Sequence, residues 1–199
     1  MPRPGDEVVS PPTGERLIFR QTHESSQGQL FQAEIFMEPS PYVVGCHFHP
    51  EQEERFEVVS GTLGTKVGDG DAKLTSAGGE VIVPKGVSHA YWNAGADQLH
   101  LIYEHRPARV VAEGFFETYY GLSREGKLNA TGYIKNPLQG AVLAHHVRAF
   151  LRPCSPPPAI QPVLFAFGSV LGRLVGYRWW YARFTAKPAA ETNSPAPTP

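Results

Sequence analysis

The sequence predicts a mainly β fold followed by an α-helical extension, and three observations carry that reading. Up to about His105, short apolar runs are punctuated by turn residues at the roughly 8–12 residue spacing of an all-β sandwich or barrel. After Pro107 the apolar period lengthens to that of amphipathic helices. The charge divides at the same place: residues 1–105 carry seven Lys and Arg against fifteen Asp and Glu, and residues 106–187 carry eleven against three.

Taken in order, residues 1–12 are expected to be a flexible N-terminus. The opening MPRPGDEVVSPPTGER is acidic and proline-rich, with no apolar stretch of the kind a secretory signal needs. Residues 13–107 form the β unit, with strands expected at Arg16–Gln21, Leu30–Met37, Val43–His49, Arg55–Ser60, Gly79–Val83, Ala90–Asn93 and Leu99–His105. Ser25–Gly28, Pro39–Pro41, Gly68–Asp71 and Ala94–Gly95 supply the turns between them. Residues 108–185 form the helical extension. Val111, Phe115, Tyr119 and Leu122 make one stripe, and Gly126 stops it. Asn136 caps a second helix that opens on Pro137 and runs to about Leu151. A third follows Pro156–Pro158, from Ile160 to about Val175. Residues 186–199 lack apolar periodicity and are expected to be disordered.

Composition narrows the function classes. A hydrophobic fraction of 41%, with eleven Phe, eight Tyr and three Trp, is enough for a real core. A net charge of -1 excludes a wholesale polyanion binder, so no nucleic-acid partner is expected. The longest apolar stretch, Ala159–Gly172, contains Gln161 and Pro162 and falls short of the ~18–20 residues that span a bilayer. Two cysteines without CxxC spacing do not make a disulfide framework. Cys46 is read as a small buried hydrophobe, and the protein as cytoplasmic with reduced thiols.

The chemistry concentrates in two stretches. In GCHFHPEQEERFEVVSG, His47 and His49 are two apart on one strand, so both imidazoles leave the same face with Cα atoms about 6.5–7 Å apart. Glu54 follows a short turn and returns beside them on an antiparallel partner. In GGEVIVPKGVSHAYWN, Pro84 and Gly86 turn the chain so that His89 points inward from another strand. Three imidazoles and one carboxylate converging within a small β fold suit one divalent transition metal. Iron or manganese comes first, with nickel, zinc or copper as other fits.

At these residues the sequence resembles the cupin superfamily. The first motif, H-x-H-x(3,4)-E-x6-G, is met by His47, His49, Glu54 and Gly61, with Gly45 close before it. The second, G-x5-P-x-G-x2-H-x3-N, is met at every fixed position by Gly78, Pro84, Gly86, His89 and Asn93. A chance match to the second is on the order of 10⁻⁶ per start position. The motifs stand in order, with 16 residues (Thr62–Ala77) between them. The resemblance implies a single cupin-type β-barrel, a double-stranded β-helix or jelly roll, with His47, His49, Glu54 and His89 as metal ligands. It also implies a homodimer.

Strand periodicity places Phe56 and Val58 on the Glu54 side and Tyr91 on the His89 side. Together with His100 or Tyr103 turned inward, they would form a largely apolar substrate pocket. The expected function is that of a mononuclear metalloprotein acting on a small organic molecule. Among the activities the resemblance implies, a metal-dependent dioxygenase-type oxidoreductase comes first, with Glu54 able to shuttle a proton. A metal-dependent isomerase, decarboxylase or lyase is the alternative, as is a non-catalytic binding protein. Arg173, Arg178 and Arg183 with Trp179, Trp180 and Tyr181 could contact a membrane surface. Packing of this basic segment on the acidic β unit is the better account of the opposed charges.

Overall fold

In the computed structural model, which describes residues 1–129 and 132–188, two antiparallel sheets face each other and enclose one core. Ten strands come from the N-terminal half: β1 (Asp6–Ser10), β2 (Glu15–Gln21), β3 (Phe31–Met37), β4 (Val44–Phe48), β5 (Glu53–Ser60), β6 (Thr62–Val67), β7 (Lys73–Ser76), β8 (Glu80–Val83), β9 (His89–Asn93) and β10 (Leu99–Arg106). The helices are α1 (Val110–Arg124), α2 (Pro137–Val147) and α3 (Gln161–Leu174), and two short strands, β11 (Arg152–Pro153) and β12 (Lys187–Pro188), come from the extension. One sheet has the order β12-β1-β2-β3-β10-β5-β8 and the other β11-β4-β9-β6-β7. The architecture is the mainly β jelly roll with a helical extension.

Alternation builds the core. β3 buries every second residue, so Phe31, Ala33, Ile35 and Met37 face inward, while β10 contributes Leu99, Leu101 and Tyr103. The chain crosses from one sheet to the other between β5 and β6 at Gly61. Its φ of +83° favours glycine, and a Cβ there would lie 2.9 Å from the Gln98 carbonyl oxygen. β6 and β7 were missing from the sequence reading, because Thr62–Val67 and Lys73–Ser76 alternate weakly and carry few large apolar residues.

Both ends of the chain differ from expectation. Residues 1–12 contain β1, which pairs with β2 from Glu7 opposite Ile18 to Ser10 opposite Glu15. Residues 186–188 are also ordered into the fold: Ala186 is buried and Lys187 pairs with Glu7 of β1. Segments this short show little periodicity of their own, and the sheet edge supplies their partners. Residues 189–199 lie outside the described part of the chain.

The helices follow the sequence closely. Asn136 Oδ1 accepts from the backbone N–H groups of Leu138 (3.0 Å) and Gln139 (3.1 Å), the expected cap. α2 ends at Val147, earlier than expected, and a turn carries Phe150 into full burial before β11 pairs with β4. The aromatic-basic segment is packed onto α1. Trp180 Nε1 donates to Glu117 Oε2 (2.6 Å), and Trp179 stacks on His146 and fills the space beside Gly114. Arg183 lies over the Tyr181 and Phe184 rings and pairs with Glu125. Among the described residues, Arg109–Glu51 is the ion pair that joins the helical extension to the β unit, so apolar packing carries most of that contact. α3 keeps an outward apolar face, with Val163, Phe167 and Leu174 exposed. No helix among the described residues is long and apolar enough to cross a membrane.

The cysteines correct the sequence reading most sharply. Cys46 is exposed rather than buried, and it forms a disulfide with Cys154 across 108 residues of sequence. The register of β11 on β4 causes this: Pro153 lies opposite His47, and the Cys154 N–H donates to the Cys46 carbonyl (3.0 Å). Disulfides persist where thiols are kept oxidised, so the argument from reduced thiols to the cytoplasm falls away. Thiol titration of the unfolded chain should find no free thiol before reduction and two after it. Replacing both cysteines by serine should cost about 2–4 kcal/mol of stability, read from denaturant midpoints.

Candidate metal centre and its cavity

The four residues singled out by the two motifs meet at one point. His47 lies on β4, His49 just beyond it, Glu54 on β5 and His89 at the start of β9. β4 pairs with β9 so that His47 stands opposite His89, which brings their ring centroids to 4.2 Å. One ligand atom from each of the four lies within 4.8 Å of the others, and all four side chains are buried. Two ligands on opposite sides of one ion, each at ~2.1 Å, need a span of about 4 Å, which this cluster approaches.

The hydrogen bonds around the histidines fix which nitrogen is free. His47 Nδ1 is 2.8 Å from the Gly45 carbonyl, His49 Nδ1 2.6 Å from that of Phe150 and His89 Nδ1 3.2 Å from that of Val87. A carbonyl only accepts, so each Nδ1 carries a proton and donates, which makes Nε2 the lone-pair nitrogen of each neutral ring. His49 Nε2, His89 Nε2 and Glu54 Oε2 are buried without any hydrogen-bond partner. Three converging acceptors left unsatisfied in a buried place are what a bound cation resolves. The donor set therefore fits a divalent metal.

Glu54 is fully buried, and its two oxygens are divided. Oε1 accepts from the Tyr103 hydroxyl at 2.6 Å and lies 3.0 Å from His105 Nε2, while Oε2 faces His89. Burial opposes the charge, yet the neighbouring His89 and His49 with the His105 hydrogen bond hold the Glu54 carboxyl well below its ordinary value. In His89, burial works against protonation and the Glu54 carboxylate outweighs it, so its pKa is raised. Burial, then the nearby His89, pushes His47 down to about 3, which keeps it neutral and able to ligate. His105 falls to about 4 through burial and the proximity of His49.

His105 is the residue the sequence reading missed. It is buried, pairs directly opposite Glu54 in the β10–β5 register, and its ring lies 4.5 Å from that of His49. The signal was present: Leu101 and Tyr103 face inward, and the same alternation carried two residues on reaches His105.

A cavity of about 380 Å³ opens beside the cluster, between the sheets and the helical extension. Of the five expected pocket residues, Tyr91 and Tyr103 line it. Phe56 instead packs its ring between His89, Tyr91 and Tyr103, and Val58 lies in the core. His100 faces away from the cavity. It stacks on Phe36 with centroids 4.2 Å apart, and its Nε2 is 3.0 Å from Glu34 Oε2 on the outer face. The even positions of β10 point outward, which the paired sheet makes unambiguous. Phe115, Phe116, Tyr119 and Phe150, all from the extension, complete the wall.

His49→Ala and His89→Ala should each remove most bound metal, measured by elemental analysis of purified protein. Tyr103→Phe and His105→Phe keep the ligands but loosen Glu54. Each should weaken metal affinity by about 10–100-fold in a chelator competition titration.

Comparison with known proteins agrees with this geometry. Residues 33–103 match the family model of the cupin domain, a span that contains all four clustered residues. An Arthrobotrys oligospora protein named as an oxidoreductase is 26% identical over 175 residues, covering 85% of this chain and 65% of that protein. The chain thus spans less than two thirds of that relative's length. Among solved structures, KdgF from Halomonas sp. aligns with a TM-score of 0.43 at 19% identity, over 51% of this chain and 85% of that one. A predicted oxalate decarboxylase from Thermotoga maritima aligns with a TM-score of 0.44 at 19% identity, over 47% of this chain and 80% of its own. Both sequence motifs, the two facing sheets and the matched segment converge on one conclusion: residues 33–103 of the chain carry a cupin domain.

Proposed function

We propose that the chain is a mononuclear metal-dependent oxidoreductase of the dioxygenase type, acting on a small, largely apolar organic molecule. One observation carries the reading: the unpartnered His49 Nε2, His89 Nε2 and Glu54 Oε2 converge beside a largely aromatic cavity whose wall includes His47. The oxidoreductase name of the Arthrobotrys oligospora relative supports the class of reaction. His47, His49, Glu54 and His89 would hold iron or manganese. Such an ion, when bound, supplies Lewis-acid polarisation of a substrate oxygen or activation of dioxygen.

The remaining work falls to the chain. Phe115, Phe116 and Phe150 exclude water and hold the substrate body by apolar contact. Tyr103 and His105 fix Glu54 through Oε1, so that Oε2 keeps one direction. Tyr103 keeps its proton, because burial and then the Glu54 carboxylate raise its pKa well above the ordinary value. Its hydroxyl therefore remains the donor that holds Glu54 Oε1 at the edge of the cavity. Glu54 is the residue to which we assign the catalytic role, since its Oε2 is a buried carboxylate oxygen without a hydrogen-bond partner, at which a substrate proton can be held.

The test pairs metal analysis with oxygen consumption in wild type and His49→Ala. Iron- or manganese-dependent oxygen uptake with an aromatic or enolic substrate, lost in His49→Ala, is the expected result. Tight zinc with no oxygen uptake across the substrate panel would instead select an isomerase or lyase and refute the dioxygenase reading.

A further inference from the structure

The cavity wall is largely apolar, and among the described residues one carboxylate stands in it. Glu15, at the start of β2, lines the same cavity and is only 5% exposed. Its register places it opposite Met37, which pairs with Leu99, whereas Glu54 pairs with His105. Projected on β10, the two positions are therefore six residues apart, roughly 20 Å of strand.

Glu15 is held in place by hydroxyls and, among the described residues, has no cationic partner. Its Oε2 accepts from Thr13 Oγ1 at 2.9 Å, and that hydroxyl is tied in turn to Ser10 Oγ (2.6 Å) and through it to Ser123 Oγ on α1 (2.6 Å). Among the described residues no Lys or Arg lines the cavity, and Glu15 forms no ion pair. Tyr42, Tyr91, Tyr119 and Tyr120 stand in the same wall. Two of them are locked: the Tyr42 and Tyr119 hydroxyls lie 2.8 Å apart, and Tyr119 also donates to the Gly132 carbonyl (2.8 Å). A buried carboxylate without a counter-charge is costly, and the faces of tyrosine rings attract cations. An ammonium group answers both demands. A neutral hydroxyl answers one, and an anion is repelled by both. Burial raises the Glu15 carboxyl to about 7, against the Thr13 hydrogen bond, in keeping with a carboxylate that lacks its counter-ion.

We propose that the cavity takes an apolar organic amine, its ammonium held at Glu15 among the four tyrosines and its body laid along the aromatic wall toward His47. The proposal rests on the reading of the His47 end as the reaction site, and it names the substrate class that site receives.

The experiment is isothermal titration of the metal-loaded full chain with 3-phenylpropylamine, 3-phenylpropan-1-ol and 3-phenylpropanoate, in wild type and Glu15→Gln. Metal content and oxygen uptake are measured on the same samples. Wild type should bind the amine about tenfold or more tighter than the alcohol, and the carboxylate least. Glu15→Gln should weaken amine binding about tenfold, leaving the alcohol and the metal content unchanged. Equal or tighter binding of the alcohol or carboxylate, undetectable amine binding, or amine affinity indifferent to Glu15→Gln would each overturn the proposal. The ranking of the three probes on wild type tests it independently of how the variant folds. Amine binding without oxygen uptake removes the dioxygenase reading alone; oxygen uptake without amine preference removes this inference alone.

Discussion

A fully buried carboxylate sets the terms for the whole molecule. Glu54 has no exposure to water, and an ionised group in such a place is tolerated only when surrounded by donors and opposite charge. His89 comes from one sheet and His49 from just beyond its strand β4, while Tyr103 and His105 come from the other sheet. The two sheets must therefore close on each other with their registers correct before the charge can be accommodated. A slip of one residue in β10 would turn Tyr103 and His105 outward and leave Glu54 without its partners.

The helical extension belongs to the same construction. The Phe150 carbonyl accepts the Nδ1 proton of His49, which aims Nε2 at the cluster. β11 then joins the sheet beside His47, and the Cys46–Cys154 disulfide fastens that junction. α1 and the turn after α2 supply the aromatic wall of the cavity. The jelly roll contributes the ligand atoms, and the extension orients one of them and roofs the space where a substrate would lie. The opposed charges of the two regions contribute little to this junction, since its substance is the packing of Phe115, Phe116 and Phe150 against the inner face.

Much of this was legible beforehand. The four clustered residues, the helices and most of the strands follow from period, turn chemistry and motif spacing, because these depend on neighbours close in sequence. His100 and His105 show where that legibility stops. Both lie on β10, and the alternation pattern alone does not say which face meets the core until β3 and β5 pair with it. The strands β1 and β12 were invisible because each is too short for a period to show, and the partner of β12 is distant in sequence.

By itself, the sequence determined the fold class and the identity of the candidate ligands, since local periodicity and fixed spacing encode both. Only the tertiary structure decided that Cys46 meets Cys154, that His105 faces Glu54, and that Glu15 lies in the cavity wall. Each of those encounters joins segments far apart in the chain. Their proximity is settled by strand register and helix docking, which no short-range pattern records.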